Sequence, residues 1–137
     1  MLKYRSIGMK LTPQRLAILD YLKGNTSHPS AEDIYSAVRD RFPTMSLATV
    51  YNTLAALQVR SVVQELTIDP HKRRYDPNVE QHNHLICTRC SKIVDVHLDF
   101  ALDLPEEIKQ SFSVTGNHVE FYGVCSACRN TTADTKL

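Results

Sequence analysis

Four cysteines stand in two Cys-x-x-Cys pairs, Cys87/Cys90 and Cys125/Cys128, and they are all the cysteines of the 137-residue chain. Zn²⁺ takes four thiolates tetrahedrally, and a two-residue gap lets a tight turn present both sulfurs of a pair to one ion. Thirty-four residues separate the pairs, more than a compact zinc ribbon needs. The spacing therefore predicts a structural zinc ion that clamps distant ends of one small domain. A redox dithiol is the rival reading for either pair alone, but it would need a pair that opens a helix after a strand. Cys87 follows Leu85-Ile86 and Cys125 follows residues 119–124, so both pairs are expected at strand ends, with redox-labile zinc as the remaining alternative.

A second set of ligands surrounds His82-Asn83-His84. Side chains alternate along a strand, so an extended His-x-His segment puts both imidazoles on one side. Asp95 and Asp76 offer oxygen ligands, and His28, before Pro29, would complete three histidines and two aspartates. Mixed imidazole and carboxylate ligands suit Fe²⁺, Mn²⁺ or a less selective Zn²⁺. Each residue also has a plainer reading: a surface or hydrogen-bonded histidine, an Asp76 that caps a turn before Pro77, an Asp95 exposed on its strand.

These groups need elements to hold them. Thr12-Pro13 is a helix start, with Leu16, Leu19 and Leu22 as its stripe and Gly24 as its stop. Ser30 with Asp33 resembles a capping box for a second helix that ends before Pro43. Ser46 caps a third, with Leu47, Val50, Leu54 and Leu57 on one face and Ala48, Thr49, Tyr51 and Asn52 on the other. Residues 62–67, a turn at Asp69-Pro70 and Lys72-Arg73-Arg74-Tyr75 then predict a β-hairpin with a basic tip.

Three helices and a hairpin make a winged helix-turn-helix, in which the third helix enters the DNA major groove. Asn52 could pair with adenine, Ala48 and Tyr51 could touch a thymine methyl, and Thr49 shares their face. Lys10, Arg15, Lys72, Arg73 and Arg74 could neutralise phosphates. The alternative is a module whose third helix packs on another protein. The fold class expected is α+β: a winged-helix DNA-binding domain over residues 1–76, a hinge at 77–81, and a small α/β dimerisation and metal-binding domain over 82–137. In the last, a strand over 92–96, an acidic helix near 104–111 and a strand over 113–121 are expected, then a polar tail from Asn130.

Charge supports the division. Residues 1–76 hold eleven Lys/Arg against seven Asp/Glu, and residues 77–137 hold five against eight, so a formal net charge of +1 hides a basic half and an acidic one. A basic half suggests a polyanionic partner. Domains this small bury little core, so zinc and self-association are expected to add stability. The N-terminal Met1-Leu2-Lys3-Tyr4-Arg5 has no apolar stretch of the kind a signal peptide needs, and no run approaches membrane-spanning length, so a cytoplasmic protein is expected. A metallohydrolase is disfavoured, because five protein ligands leave little room for water and no spare general base is evident.

Over nearly its whole length the chain resembles the Fur superfamily of bacterial metal-dependent repressors. The likeness is carried, in order, by Leu11-Thr12-Pro13-Gln14-Arg15, His28-Pro29-Ser30-Ala31, the run Ser46-Leu47-Ala48-Thr49-Val50-Tyr51, His82-Asn83-His84-Leu85-Ile86-Cys87, and Phe121-Tyr122-Gly123-Val124-Cys125. The resemblance implies a homodimer that binds a palindromic DNA operator when metallated, with structural Zn²⁺ on Cys87, Cys90, Cys125 and Cys128. Within the superfamily the chain is more similar to the peroxide-sensing PerR branch. Asp76 stands where iron-uptake regulators usually carry Glu, Asp95 takes the remaining carboxylate position, and Asn52 stands where many Fur members have Arg. The resemblance then implies a regulatory Fe²⁺ or Mn²⁺ on His28, Asp76, His82, His84 and Asp95, with His28 and His82 the imidazoles that peroxide oxidises. An iron- or zinc-uptake regulator without ligand oxidation is the alternative. Asn83 departs from the acid that Fur-like members often have between the two histidines, and Ser91 replaces the glycine common after the second cysteine.

Overall fold

Capping chemistry sets the helices. Thr12 is extended and its hydroxyl accepts the Arg15 N–H at 3.2 Å, while Pro13 occupies a first-turn position whose N–H would have no partner in the helix. Helix α1 (Pro13–Leu22) stops beside Gly24, whose φ of +67° is left-handed; no atom lies within 4 Å of where a Cβ would stand, so conformation rather than space favours glycine there. Helix α2 (Ala31–Val38) has the complete capping box, with the Asp33 N–H on the Ser30 hydroxyl at 3.1 Å and the Ser30 N–H on the Asp33 carboxylate at 3.0 Å. Ser30→Ala should cost about 1 kcal/mol, read as a lower urea midpoint at unchanged slope. An unmoved midpoint would mean that the packing of Ile34 and Val38 alone holds the helix.

The computed structural model describes residues 8–98 and 102–130. The N-terminal reading of Met1–Arg5 and the expected tail beyond Asn130 lie outside them. The chain divides into two compact units between Glu80 and Gln81. In the first, helix α3 (Leu47–Val59), capped by Ser46, buries Val50, Thr53, Leu54 and Leu57 against a core that includes Ile18, Ile34 and Val38. Strands β1 (Gln64–Leu66) and β2 (Arg74–Asp76) form an antiparallel hairpin, with Glu65 opposite Tyr75. The Asp69 carboxylate accepts the His71 N–H at 2.9 Å and shapes the turn at Asp69-Pro70.

The second unit is a three-stranded sheet in the order β4-β3-β5. Strand β3 (Asn83–Cys87) pairs antiparallel with β4 (Ile93–Val96) and parallel with β5 (Glu120–Gly123). Alternation gives the sheet two chemically distinct faces. His84 lies opposite Asp95 and Glu120 on one; on the other, Leu85, Val94 and Phe121 form an apolar row, exposed at 37 %, 43 % and 37 %. Ile86, Cys87 and Ile93 are the buried hydrophobic residues among the described part of this unit.

Two elements differ from expectation. The strand expected over 113–121 begins only at Glu120, because β3, its pairing partner, begins at Asn83. Just before it, the Val119 carbonyl still accepts the His84 N–H at 3.4 Å, but the Val119 N–H goes to the Asn83 side-chain oxygen at 2.8 Å instead of a backbone carbonyl. The helix expected near 104–111 is a single turn, α4 (Glu106–Lys109); its N-cap Pro105 makes no side-chain cap and none of its residues is buried, so no packing extends it. A second short helix, α5 (Ser126–Arg129), follows β5. No helix among the described residues is long and apolar enough to cross a membrane.

Candidate metal centres and nucleic-acid interface

The end of β3 delivers Cys87, and the chain turns back within four residues. The Ser91 N–H bonds to the Cys87 carbonyl at 2.9 Å and the Cys87 N–H to the Lys92 carbonyl at 2.9 Å. Ser91 takes φ +65° to make that turn, so a side chain occupies the left-handed position the resemblance would give to glycine. Thr88 N–H on the Gly123 carbonyl, at 2.8 Å, ties this knuckle to the end of β5. Cys125 is there the N-cap of α5, and Cys128 lies in the helix. The second pair thus opens a short helix after a strand, where both pairs were expected at strand ends.

That placement alone would suit a redox dithiol, but the two pairs do not stand apart: their sulfurs gather into one group of four. All four Sγ atoms lie within 4.8 Å of one another, and Cys90 Sγ is 3.8 Å from Cys125 Sγ. A disulfide needs about 2.05 Å, whereas four thiolates at about 2.3 Å from one zinc ion stand about 3.8 Å apart. The backbone is arranged for negative sulfur. Cys87 Sγ accepts the N–H of Cys125 at 3.3 Å and of Cys90 at 3.5 Å, and these donors hold the thiol down to about 6. The Cys128 N–H likewise lowers Cys125, while Cys128 is pushed up to about 12, chiefly by its hydrogen bond to the Cys125 sulfur. Crowded sulfurs that cannot all ionise together are what a divalent cation relieves, so the donor set fits a zinc-type site.

The histidines and aspartates form one group in each unit. In the first, His28 Nε2 stands 3.4 Å from Asp76 Oδ2, the two side chains only 1 % and 2 % exposed. His28 has φ +55°, left-handed and directly before Pro29. Proline disfavours helical conformations in the preceding residue, and a strained backbone of this kind costs on the order of 1–3 kcal/mol. Such strain persists where the surroundings over-determine it. Here they do: the His28 carbonyl accepts Arg74 Nη1 at 2.7 Å, and the Pro29 carbonyl accepts the Tyr75 N–H at 2.8 Å.

In the second unit, Asp95 Oδ1 lies 3.0 Å from His82 Nε2 and 3.4 Å from His84 Nε2. Both histidines are buried. Their rings are 4.5 Å apart, and the His97 ring stacks on His82 at 5.2 Å. His97 carried no signal in the sequence beyond being a histidine two residues from Asp95. Asn83 points to the opposite face, engaged with Val119, so it is not a third ligand of the His-x-His pair.

Of the residues expected at DNA, Ala48, Tyr51 and Asn52 are exposed on α3, and Lys10, Lys72 and Arg73 are exposed as well. Thr49 is half-buried beside the Ser46 cap, and the Tyr51 hydroxyl donates to Glu32 at 3.0 Å. Arg15 is half-buried and donates to the Lys10 carbonyl at 2.7 Å. Arg74 departs from expectation. It is 8 % exposed, and its guanidinium bonds Asp69 Oδ2 at 3.1 Å as well as the His28 carbonyl, so the structure gives it an internal role instead of a phosphate contact. Burial pushes the Asp69 carboxyl up, but the His71 N–H and the Arg74 guanidinium together hold it below its ordinary value.

Residues 6–122 match the model of the ferric uptake regulator family. The peroxide-responsive repressor PerR of Staphylococcus epidermidis is 43 % identical over 128 residues, 91 % of this chain and 85 % of that one. The structure of PerR from Streptococcus pyogenes, described as a basis for peroxide sensing and gene regulation, is 34 % identical with a TM-score of 0.51, covering 91 % of this chain and 87 % of that one. The ferric uptake regulator of Helicobacter pylori is similar with a TM-score of 0.72 over 96 % of this chain and 89 % of that one; at 23 % identity it shows the fold alone. With its α+β fold, its four-cysteine cluster and this match across most of its length, the chain belongs to the ferric uptake regulator family.

Proposed function

We propose that the chain is a metal-dependent, peroxide-responsive transcriptional repressor and not an enzyme. The observation that carries this reading is the pairing of buried imidazoles with aspartates in both units, His28 with Asp76 and His82 and His84 with Asp95. Relatives named as peroxide-responsive repressors support it.

His28, Asp76, His82, His84 and Asp95 are proposed as ligands of one regulatory ion, Fe²⁺ or Mn²⁺, with residues 77–81 as the hinge, and Zn²⁺ on the four cysteines as the structural ion. Ligands drawn from both units make metal binding favour one orientation of the two, and only that differential affinity can shift operator occupancy. Fe²⁺ held by these residues would promote the oxidation of a ligand imidazole by hydrogen peroxide, in which a ring C–H takes up one peroxide oxygen, the ring gives up two electrons, and the other oxygen leaves as water. Oxidised His28 or His82 then binds metal poorly, and repression ends.

The apolar row Leu85, Val94 and Phe121 suits a second copy of the chain, and a homodimer would present two α3 helices about one DNA turn apart to a palindromic operator. On the DNA, Asn52 reads a base edge beside Ala48, Thr49 and Tyr51, while Lys10, Arg15, Lys72 and Arg73 meet phosphates. Binding to a duplex selected from random DNA should require Mn²⁺ and weaken with salt. Lys72→Ala and Arg73→Ala should each reduce the magnitude of the salt slope by about 1 in the monovalent series. Asn52→Ala should instead cost about 1–3 kcal/mol and relax preference at one base pair. DNA binding indifferent to both salt and Mn²⁺ would point to a zinc-stabilised protein-interaction module.

A further inference from the structure

Strand β2 grips the His28 segment with three consecutive residues. Arg74 donates to the His28 carbonyl at 2.7 Å, the Tyr75 N–H to the Pro29 carbonyl at 2.8 Å, and the Asp76 carboxylate faces His28 Nε2 at 3.4 Å. Arg74 also reaches the other way. Its Nε bonds Asp69 Oδ2 at 3.1 Å, with the two side chains 9 % and 1 % exposed, and the other Asp69 oxygen takes the His71 N–H at 2.9 Å. Asp69 therefore shapes the turn that leads into Lys72 and Arg73, both exposed at the tip of the hairpin.

We infer that Arg74 is a positioning residue that relays the state of His28 to the basic hairpin turn through Asp69. The inference rests on the proposed reading of His28 and Asp76 as metal ligands and of the hairpin as a DNA contact. It adds a route confined to the first unit, separate from any change in how the two units are oriented.

Geometry explains why the relay would respond. The His28 carbonyl points at Arg74 while the backbone holds φ +55° before a proline, a conformation with little intrinsic stability. A ligand that fixes the His28 ring against Asp76 favours it; loss of the ligand, or damage to the ring, removes that support. A relaxed His28 would swing its carbonyl away and break the bond to Arg74 Nη1, and a buried guanidinium then shifts to recover the lost bond. The guanidinium is a rigid planar fork, so Nη1 cannot be re-aimed without moving Nε from Asp69. The turn at Asp69 then loses one of its ties, keeping the His71 N–H, and Lys72 loses its fixed place, while Arg73 keeps its ion pair with Glu65 across the hairpin.

The test uses the full-length, zinc-loaded protein, with amide hydrogen exchange over residues 69–73 and affinity for the selected duplex measured with and without Mn²⁺. In the unsubstituted protein Mn²⁺ should slow exchange across this turn. Arg74→Lys keeps the charge but loses the fork. It should bind Mn²⁺ within about threefold of the original, lose the Mn²⁺-dependent protection, and reduce the metal-induced gain in DNA affinity about tenfold. Asp69→Asn, which leaves the His28 contact in place, should do the same and stands in if Arg74→Lys does not fold. Exchange over 69–73 that ignores Mn²⁺ in the unsubstituted protein overturns the relay even where DNA binding remains metal-dependent. So does either folded variant that keeps both protection and DNA gain. Failure of Mn²⁺ to bind at all, or of DNA to respond in the unsubstituted protein, would instead overturn the regulator reading on which the relay rests.

Discussion

Cys87→Ser is expected to abolish the zinc binding proposed for the four cysteines and to unfold the second unit. Cys87 is the cysteine whose sulfur takes backbone N–H groups from both knuckles, at 3.3 and 3.5 Å. Structural zinc in small domains contributes about 10–16 kcal/mol of apparent binding energy at neutral pH. A whole domain has a net stability of only about 5–15 kcal/mol. The second unit has little to set against that loss, since its described buried hydrophobics are Ile86, Ile93 and Cys87 itself. The first unit, with its separate core around Ile18, Ile34 and Leu54, should keep its helices. Zinc stoichiometry by elemental analysis and thermal unfolding followed by circular dichroism would check this. A zinc-free variant that still melts as the original does would remove the structural role, and disulfides forming among the cysteines in mild oxidant would move the assignment towards a redox-labile site.

Brief peroxide exposure of the anaerobically Fe²⁺-loaded protein should add one oxygen, about 16 Da, to peptides containing His28 or His82, while the Mn²⁺-loaded protein should stay unmodified. The same treatment should abolish operator binding by the iron form alone. The family resemblance singles out these two imidazoles, and their surroundings differ: His28 is buried against Asp76, whereas His82 is bonded to Asp95 and covered on one side by the His97 ring. A His28→Ala/His82→Ala protein that still binds Fe²⁺ should no longer release DNA on peroxide. Normal release from that protein would sink the mechanism, and unmodified histidines in the original would favour a regulator that senses metal supply.

The parts of this molecule that were legible in its sequence are those in which local chemistry dictates the outcome. Thr12-Pro13, Ser30 with Asp33, and Ser46 each cap a helix through a hydrogen bond spanning three residues, which a sequence displays directly. The four cysteines and the His-x-His pair announce themselves by type and spacing. The strand expected from residue 113 was not legible, because pairing ends where the partner strand begins, and Asn83 gave no hint that its side chain would stand in for a backbone acceptor. The expected helix near 104–111 shrank to one turn for want of a buried face. Arg74 misled for a different reason. A third basic residue beside Lys72 and Arg73 reads as surface until Asp69, five residues earlier, is found beneath it.

The alternation along β3 has a consequence for how this protein can change over generations. Residues with opposite duties sit at adjacent positions: His84 opposite Asp95 on one side of the sheet, Leu85 opposite Val94 and Phe121 on the other. Substitution can adjust either face without disturbing its neighbour. Gain or loss of a single codon between Asn83 and Cys87 would exchange the two faces, turning imidazole to the side of Val94 and Phe121 and leucine to the side of Asp95 and Glu120. Lineages of this chain should therefore tolerate exchange of one apolar residue for another at Leu85 and Ile86 far better than any change in the number of residues in β3, and length variation should collect in the connection from β4 to β5.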